Sequence, residues 1–327
     1  MRHFNLTASM LLVASSLVSC ADVAQEPLYG VTPYNSSEIF TLDDFCSSEF
    51  ESGLDNDNLY PNTGRQGVWT LNPDNVAVED GMLLLTAKYE PKKYESKEYY
   101  FSSGMVRTKG VTTYGYFEAR LKGADLWPGV CPAFWLTTEG NFSNAEAIAG
   151  KVENTITYSE IDVIEIQQVA RDKHIMACNL HTAAVMRKND GSYYSQSLSA
   201  GRIPKIGKNE FPVEWEAEDD FHIYACENRP DSTIFYIDNE RVAARPNYYW
   251  HLPMCMKISV GIRTPFEVYR DGGRFAVPTT EEQAAEAGFP TTMEVDYIRS
   301  YSRDYSAFQS NEKLFDAEEA EFTRPNI

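Results

Sequence analysis

The stretch from Tyr158 to Gln168 carries a conflict that only one kind of strand resolves. β-Branched residues dominate it and neither Gly nor Pro interrupts it, so it reads as a β-strand. In a regular strand, side chains two apart share a face, so Glu160 and Asp162 point together. Glu165 then falls on the opposite, apolar face with Ile161 and Val163, where an unpaired carboxylate is costly. A β-bulge at Val163-Ile164 adds one residue of phase and returns Glu165 to the face of the other two acids. Ile161 and Ile166 stay in the core.

Three acids crowded on one strand face suit a specific chemistry. Two carboxyl groups about 5–5.5 Å apart match retaining glycoside hydrolysis. Glu160 would attack the anomeric carbon and Glu165 would protonate the departing oxygen. Asp162, between them, would hydrogen-bond Glu160 and help hold the two in different protonation states. The competing view is a solvated strand face with three inert acids, because the chain has 48 Asp and Glu against 29 Lys and Arg.

The N-terminus reads as a processing signal. Arg2 and His3 precede an apolar run from Leu6 to Val18 that is too short and Ser-rich to span a bilayer. Leu17-Val18-Ser19-Cys20 resembles the lipobox of bacterial lipoproteins, which makes Cys20 the expected lipidation site and residues 1–20 the signal segment. Residues 21–37, with Pro27, Gly30 and Pro33, look like a tether. The expected location is that of an exported lipoprotein at the outer membrane, cell surface or periplasm of a Gram-negative bacterium, touching the membrane through its lipid alone.

Between residues 40 and 300 no linker interrupts the chain. Hydrophobic content of 43% supports a sizeable core. The remaining cysteines (Cys46, Cys131, Cys178, Cys226 and Cys255) are odd in number and form no CxxC, which argues against zinc or redox chemistry and for buried thiols. One disulfide stays open in an oxidising compartment. Five histidines without HExxH or HxH spacing give no metal site. A net charge of −19 argues against nucleic acid as a partner. A monomer is expected.

Short strands separated by turn signals fill residues 68–305. Met82–Ala87, Gly115–Leu121, Val130–Leu136, Phe221–Cys226, Thr233–Ile237, Met256–Ile262 and Met293–Tyr301 stand out, with Asp238-Asn239 as a tight hairpin turn. Thr280 and Gln283 form a capping box for one short helix, ended by Gly288 and Pro290. This is the pattern of an all-β antiparallel sandwich. Residues 304–327 make an acidic tail, expected as a surface helix or a frayed end.

With these segments in view, Glu160-Ile-Asp-Val-Ile-Glu165 resembles the bulged active-site strand of glycoside hydrolase family 16. Several further segments resemble its κ-carrageenase and red-algal galactanase branch: Gly115–Gly123, Pro128–Leu136, Asn179-Leu-His181, Asp220–Tyr224, Tyr249-Trp-His251 and Gly288–Tyr297. The resemblance covers roughly residues 104–300. It implies a β-jelly-roll of two antiparallel sheets with a concave substrate cleft, spanning residues 38–303. It also implies Glu160 as nucleophile, Asp162 as its helper and Glu165 as acid/base. His181 would line the cleft, although a core histidine is the alternative. Arg263 matches a position that holds a substrate sulfate, with a surface ion pair as its alternative. Trp135 and Trp127 are candidate sugar platforms, and Trp135 could equally be core. No cofactor is required. Asp43, Asp44 and Asp296 are available oxygens for the structural calcium many relatives carry, but their spacing singles out no site.

One departure bears on the substrate. Between His181 and Phe221 the tryptophan-containing stretch that κ-carrageenases use around the sulfated sugar is missing. Tyr193 or Tyr194 is the candidate replacement, with Arg187 or Arg202 as anion ligand. The expected activity is retaining endo-hydrolysis of β-1,4 linkages in κ-carrageenan or furcellaran, with porphyran and agarose as alternatives. A glucanase acting on laminarin, and a glycan-binding surface lipoprotein without activity, are the other readings.

Overall fold

A computed structural model describes residues 31–54, 58–140, 148–203, 206–270 and 273–316. The signal segment, Cys20 and residues 21–30 of the expected tether lie outside them, as do residues 317–327. Among the described residues the folded unit begins at Thr32, earlier than the expected end of the tether at residue 37. Thr32 is buried, and its backbone N–H donates to the Asn35 side chain.

Two large sheets form a jelly-roll sandwich. Across the eight-stranded sheet run Tyr193–Leu198, Ile175–Arg187, Ile156–Glu165, Val130–Thr137, Cys255–Ile262, Met105–Thr108 and Leu59–Pro61. Lys208–Pro212 pairs with the first half of Ile175–Arg187. The eleven-stranded sheet is centred on His222–Asn228, Gly115–Lys122, Thr291–Ser302 and Met82–Tyr94. Its neighbours pair antiparallel except at Thr70-Leu71, which runs parallel to Ser102-Ser103.

Alternation builds the core between them. Phe134, Leu136, Ile161, Leu180 and Ile258 point inward from one sheet, and Leu83, Leu85, Phe117, Ala119 and Val295 from the other. Each large apolar side chain so buried contributes roughly 1.5–3 kcal/mol in transfer free energy. The hairpin turn is the expected one: Asp238 and Asn239 have φ of 49° and 66°, the left-handed pair that matches strand twist. The capping box of helix Glu281–Ala287 is complete, and Gly288 closes it at φ 107°.

One expectation fails, and the outer face of the larger sheet shows why. Strand Gly115–Lys122 is covered on both faces, with Tyr116 and Glu118 buried on the side away from the sandwich core. The acidic tail was expected as a helix or a frayed end, yet residues 304–316 form an extended strap. Backbone hydrogen bonds run from Asn311 to Pro230, from Lys313 to Tyr248 and from Phe315 to Asn154, and Phe315 is buried against Tyr249. The strap covers the outer sheet face together with Phe40, whose ring meets Tyr116 edge-on at 5.7 Å. Under it lies an ion cluster: Arg303 Nε is 2.9 Å from Glu227, and the Tyr305 hydroxyl donates to the same carboxylate.

Candidate active site

The acid strand Ile156–Glu165 is bulged where its sequence demands. Asp162 faces Asn179 and Glu165 faces Ala177, so Val163 and Ile164 together oppose Cys178. On the other side Trp135 faces Asp162 and Phe134 faces Ile164, leaving Val163 without a partner. Both bulge residues are buried in the core. Glu160, Asp162 and Glu165 therefore all line one cleft of about 410 Å³, with Tyr158 one strand period upstream.

Each acid has its own environment. Glu160 accepts from the Tyr158 hydroxyl, which accepts in turn from Thr137 at 2.7 Å. Burial, then the Glu160 charge, holds the Tyr158 phenol well above its ordinary pKa. The buried Trp250 indole N–H donates at 2.9 Å to the backbone carbonyls of both Glu160 and His181, tying the two strands together.

Asp162 lies 3.0 Å from His181 Nε2, and Glu160 lies 4.0 Å from the same nitrogen. The Ala200 N–H approaches His181 Nδ1 at 3.2 Å, which turns Nε2 toward Asp162. Burial and the charges of Glu165 and Glu160 push the Asp162 pKa up to about 8, against the pull of His181. Burial opposes charge on His181, but the three carboxylates outweigh it and push its pKa up to about 10. The pair thus holds a proton through neutral pH.

Glu165 accepts from Asn179 Nδ2 at 2.8 Å and from Arg263 Nη2 at 3.2 Å. Arg263 also reaches Gln168, and its guanidinium sits 5.8 Å from the centre of the Trp69 ring. The cleft therefore offers two carboxylates flanking a protonated Asp–His pair, with an arginine on one of them: equipment for acid-assisted displacement at an acetal carbon.

Of the residues singled out from sequence, Glu160, Asp162, Glu165, His181, Arg263 and Trp135 share this cleft. Trp127 and Tyr193 do not line it. Trp127 is half-buried in the turn entering Val130–Thr137, and Tyr193 is exposed on the sheet's edge strand. Tyr194, next along that strand, does not line it either, and Arg187 is exposed. The side chain of Arg202 lies outside the described residues. Sequence reasoning missed Tyr158 and Asn179, which the two-residue period places on the faces of Glu160 and His181. It also missed Gln168, three residues past the observed end of the acid strand, and Trp69, Tyr269 and Arg274, which arrive from distant segments with no local signal.

The aspartates weighed for calcium stand apart in the fold. Asp43 caps Phe45, and Asp296 is paired with Arg120 at 2.6 Å. Among the described residues, the acid and histidine ligand atoms close enough to share a cation belong to Glu160, Asp162 and His181, the catalytic candidates themselves. All five described cysteines are buried free thiols.

Comparison with known proteins matches residues 41–303 to the family described as beta-porphyranase A-D, GH16 domain. The kappa-carrageenase of Pseudoalteromonas carrageenovora is 32% identical over 253 residues, covering 73% of this chain and 59% of that protein. The crystal structure of that organism's kappa-carrageenase with an oligotetrasaccharide of kappa-carrageenan superposes with a TM-score of 0.71 at 29% identity. That match covers 81% of this chain and 96% of the other. Beta-porphyranase B of Zobellia galactanivorans is 24% identical over 288 residues, covering 82% of this chain and 91% of its own.

Proposed function

The chain belongs to glycoside hydrolase family 16, and we propose that it is a retaining endo-β-galactanase cutting β-1,4 linkages of a sulfated red-algal galactan, κ-carrageenan or furcellaran first. Glu160 attacks the anomeric carbon and forms a glycosyl-enzyme. Glu165 gives its proton to the leaving oxygen, then takes one from the water that hydrolyses the intermediate. Asp162 and His181 hold Glu160 in place and keep a proton beside it.

The observation that carries the sulfated substrate is Arg263, half-buried in the cleft wall with one arm of its planar guanidinium on Glu165. Porphyran is the second reading. It is favoured by the porphyranase family match and by the edge position of Tyr193, which leaves the missing tryptophan stretch without its expected substitute. A glycan-binding protein without activity has no use for three crowded acids.

Reducing-sugar release from κ-carrageenan, furcellaran, porphyran, agarose and laminarin tests these readings. Activity on either of the first two supports the proposal, and activity on porphyran alone moves it to the second reading. Laminarin cleavage alone, or binding without cleavage, overturns it. Leu17–Cys20 supports export as a lipid-anchored protein; Cys20→Ala would then fail to incorporate labelled palmitate.

A further inference from the structure

We infer that Trp135, Lys257 and Arg107 form a second sugar-binding station on the cleft floor, one that takes an anionic group of the polysaccharide at a distance from the acids. This rests on the sulfated-galactan reading. Residues directly opposed across a sheet project from one face. The register opposes Asp162 to Trp135, Trp135 to Lys257, Lys257 to Arg107 and Arg107 to Tyr60. Asp162 faces the cleft, so the row running away from it does too.

The row combines a platform with charge. The Trp135 indole N–H is held by Ser259 Oγ at 3.1 Å, and Lys257 Nζ lies 4.8 Å from the ring centre. Arg107 stands 4.5 Å over the Tyr60 ring. Both cations share one carboxylate: Glu139 is 3.3 Å from Lys257 and contacts Arg107 Nη1. The Cys255 thiol donates to the same carboxylate. The cluster keeps one positive charge in a chain of net charge −19.

Two half-desolvated cations on one acid are a poor stabilising device. An aromatic face beside a cluster with one net positive charge is a good receptor for a sulfated pyranose. Lys257 and Arg107 stand two and three strands from the acid strand, roughly 10 and 14 Å at normal strand spacing. That is about the reach of a disaccharide, so a polymer sulfated on each repeat presents a further anion here.

The test is the steady-state kinetics of Lys257→Met and Arg107→Met on the sulfated polymer at low and high salt. Each variant should raise KM about tenfold, the worth of one charge-assisted hydrogen bond, with kcat nearly unchanged and a flatter salt dependence. Lys257→Arg should recover most of the loss. Wild-type KM and salt dependence in both Met variants, with only a lower melting temperature, would reduce the cluster to a structural ion network and overturn the inference. If the enzyme instead prefers a different sulfated galactan, the same kinetics on that polymer decide. If it cleaves no sulfated galactan, calorimetry with κ-carrageenan oligosaccharides reads the station directly. Weaker binding to Lys257→Met than to wild type sustains it, and equal or absent binding overturns it.

Discussion

Arg263 Nη2 lies 3.2 Å from Oε1 of Glu165, so the carboxyl cast as proton donor is bonded to a permanent cation in the free site. An incoming sulfate competes for that cation, and a planar guanidinium can turn donors to both. Arg263→Met is expected to lower kcat/KM on the sulfated polymer at least about a hundredfold, the worth of two charge-assisted bonds. Hydrolysis of a neutral galactan should change far less. Equal losses on both substrates would assign Arg263 to orienting Glu165 alone.

Glu160→Gln keeps the shape of the side chain and removes the nucleophile. Turnover should fall at least about a thousandfold while oligosaccharide binding persists. Calorimetry beside reducing-end assays checks both halves, and unimpaired turnover would remove Glu160 from the mechanism.

The Asp162–His181 pair makes activity sensitive to alkali. Burial and neighbouring carboxylates raise the Asp162 pKa, and those carboxylates overcome burial to raise that of His181, so the proton the pair holds at neutrality is lost as pH rises. Losing it adds negative charge beside Glu160 and loosens the hydrogen bond at 3.0 Å. kcat/KM, which reports the free enzyme, should decline above about pH 8. Asp162→Asn cannot ionise, and its lower activity should show no such limb; an unchanged limb would place that titration elsewhere.

What the sequence made legible was whatever leaves a mark on local periodicity. Glu165 sits in the wrong phase for Glu160 and Asp162, and the bulge at Val163-Ile164 repairs it. Asp238-Asn239 and the Thr280–Gln283 box carry their conformations in their own side chains. Trp127, named as a sugar platform beside Pro128, and Tyr193, named as a stand-in for the missing tryptophan stretch, lie outside the acid cleft, because which surface a side chain reaches is set by the pairing of distant strands. The row from Trp135 to Arg107 depends on register between strands far apart in sequence, which no local pattern encodes. The tail read as a loose acidic end because its anchors, Phe315 and the Arg303–Glu227 pair, depend on partners elsewhere in the fold.

That buried pair makes stability depend on pH. Burial raises the Glu227 pKa from 4.5 to about 7, against the pull of Arg303 and Arg229. Below pH 4.5 folded and unfolded chains are both protonated there. From 4.5 to 7 only the folded state keeps the proton, so this group's contribution falls as pH rises, by on the order of 3 kcal/mol in all, and is flat above 7. Chemical denaturation of wild type and Glu227→Gln across this range should give a difference that falls by that amount. A constant difference would mean that Glu227 titrates normally.

The bulge itself can be tested by changing its length. Deleting Val163 leaves Ile164 inward and Glu165 outward, so all three acids keep their face. The variant should fold, losing roughly 1.5–3 kcal/mol for one buried valine. Glu165 would move about 3.3 Å along the strand, away from Asn179 and Arg263, and activity should drop well beyond the stability loss. Inserting Ala between Ile164 and Glu165 has the opposite consequence, because the carboxylate then turns toward the core beside Ile161 and Ile166. An unpaired buried carboxylate costs several kcal/mol, so the insertion should melt far lower than the deletion and recover in part with Glu165→Leu. Matching melting temperatures for deletion and insertion would show that the strand absorbs the extra residue without turning Glu165, and that phase is not what the bulge supplies.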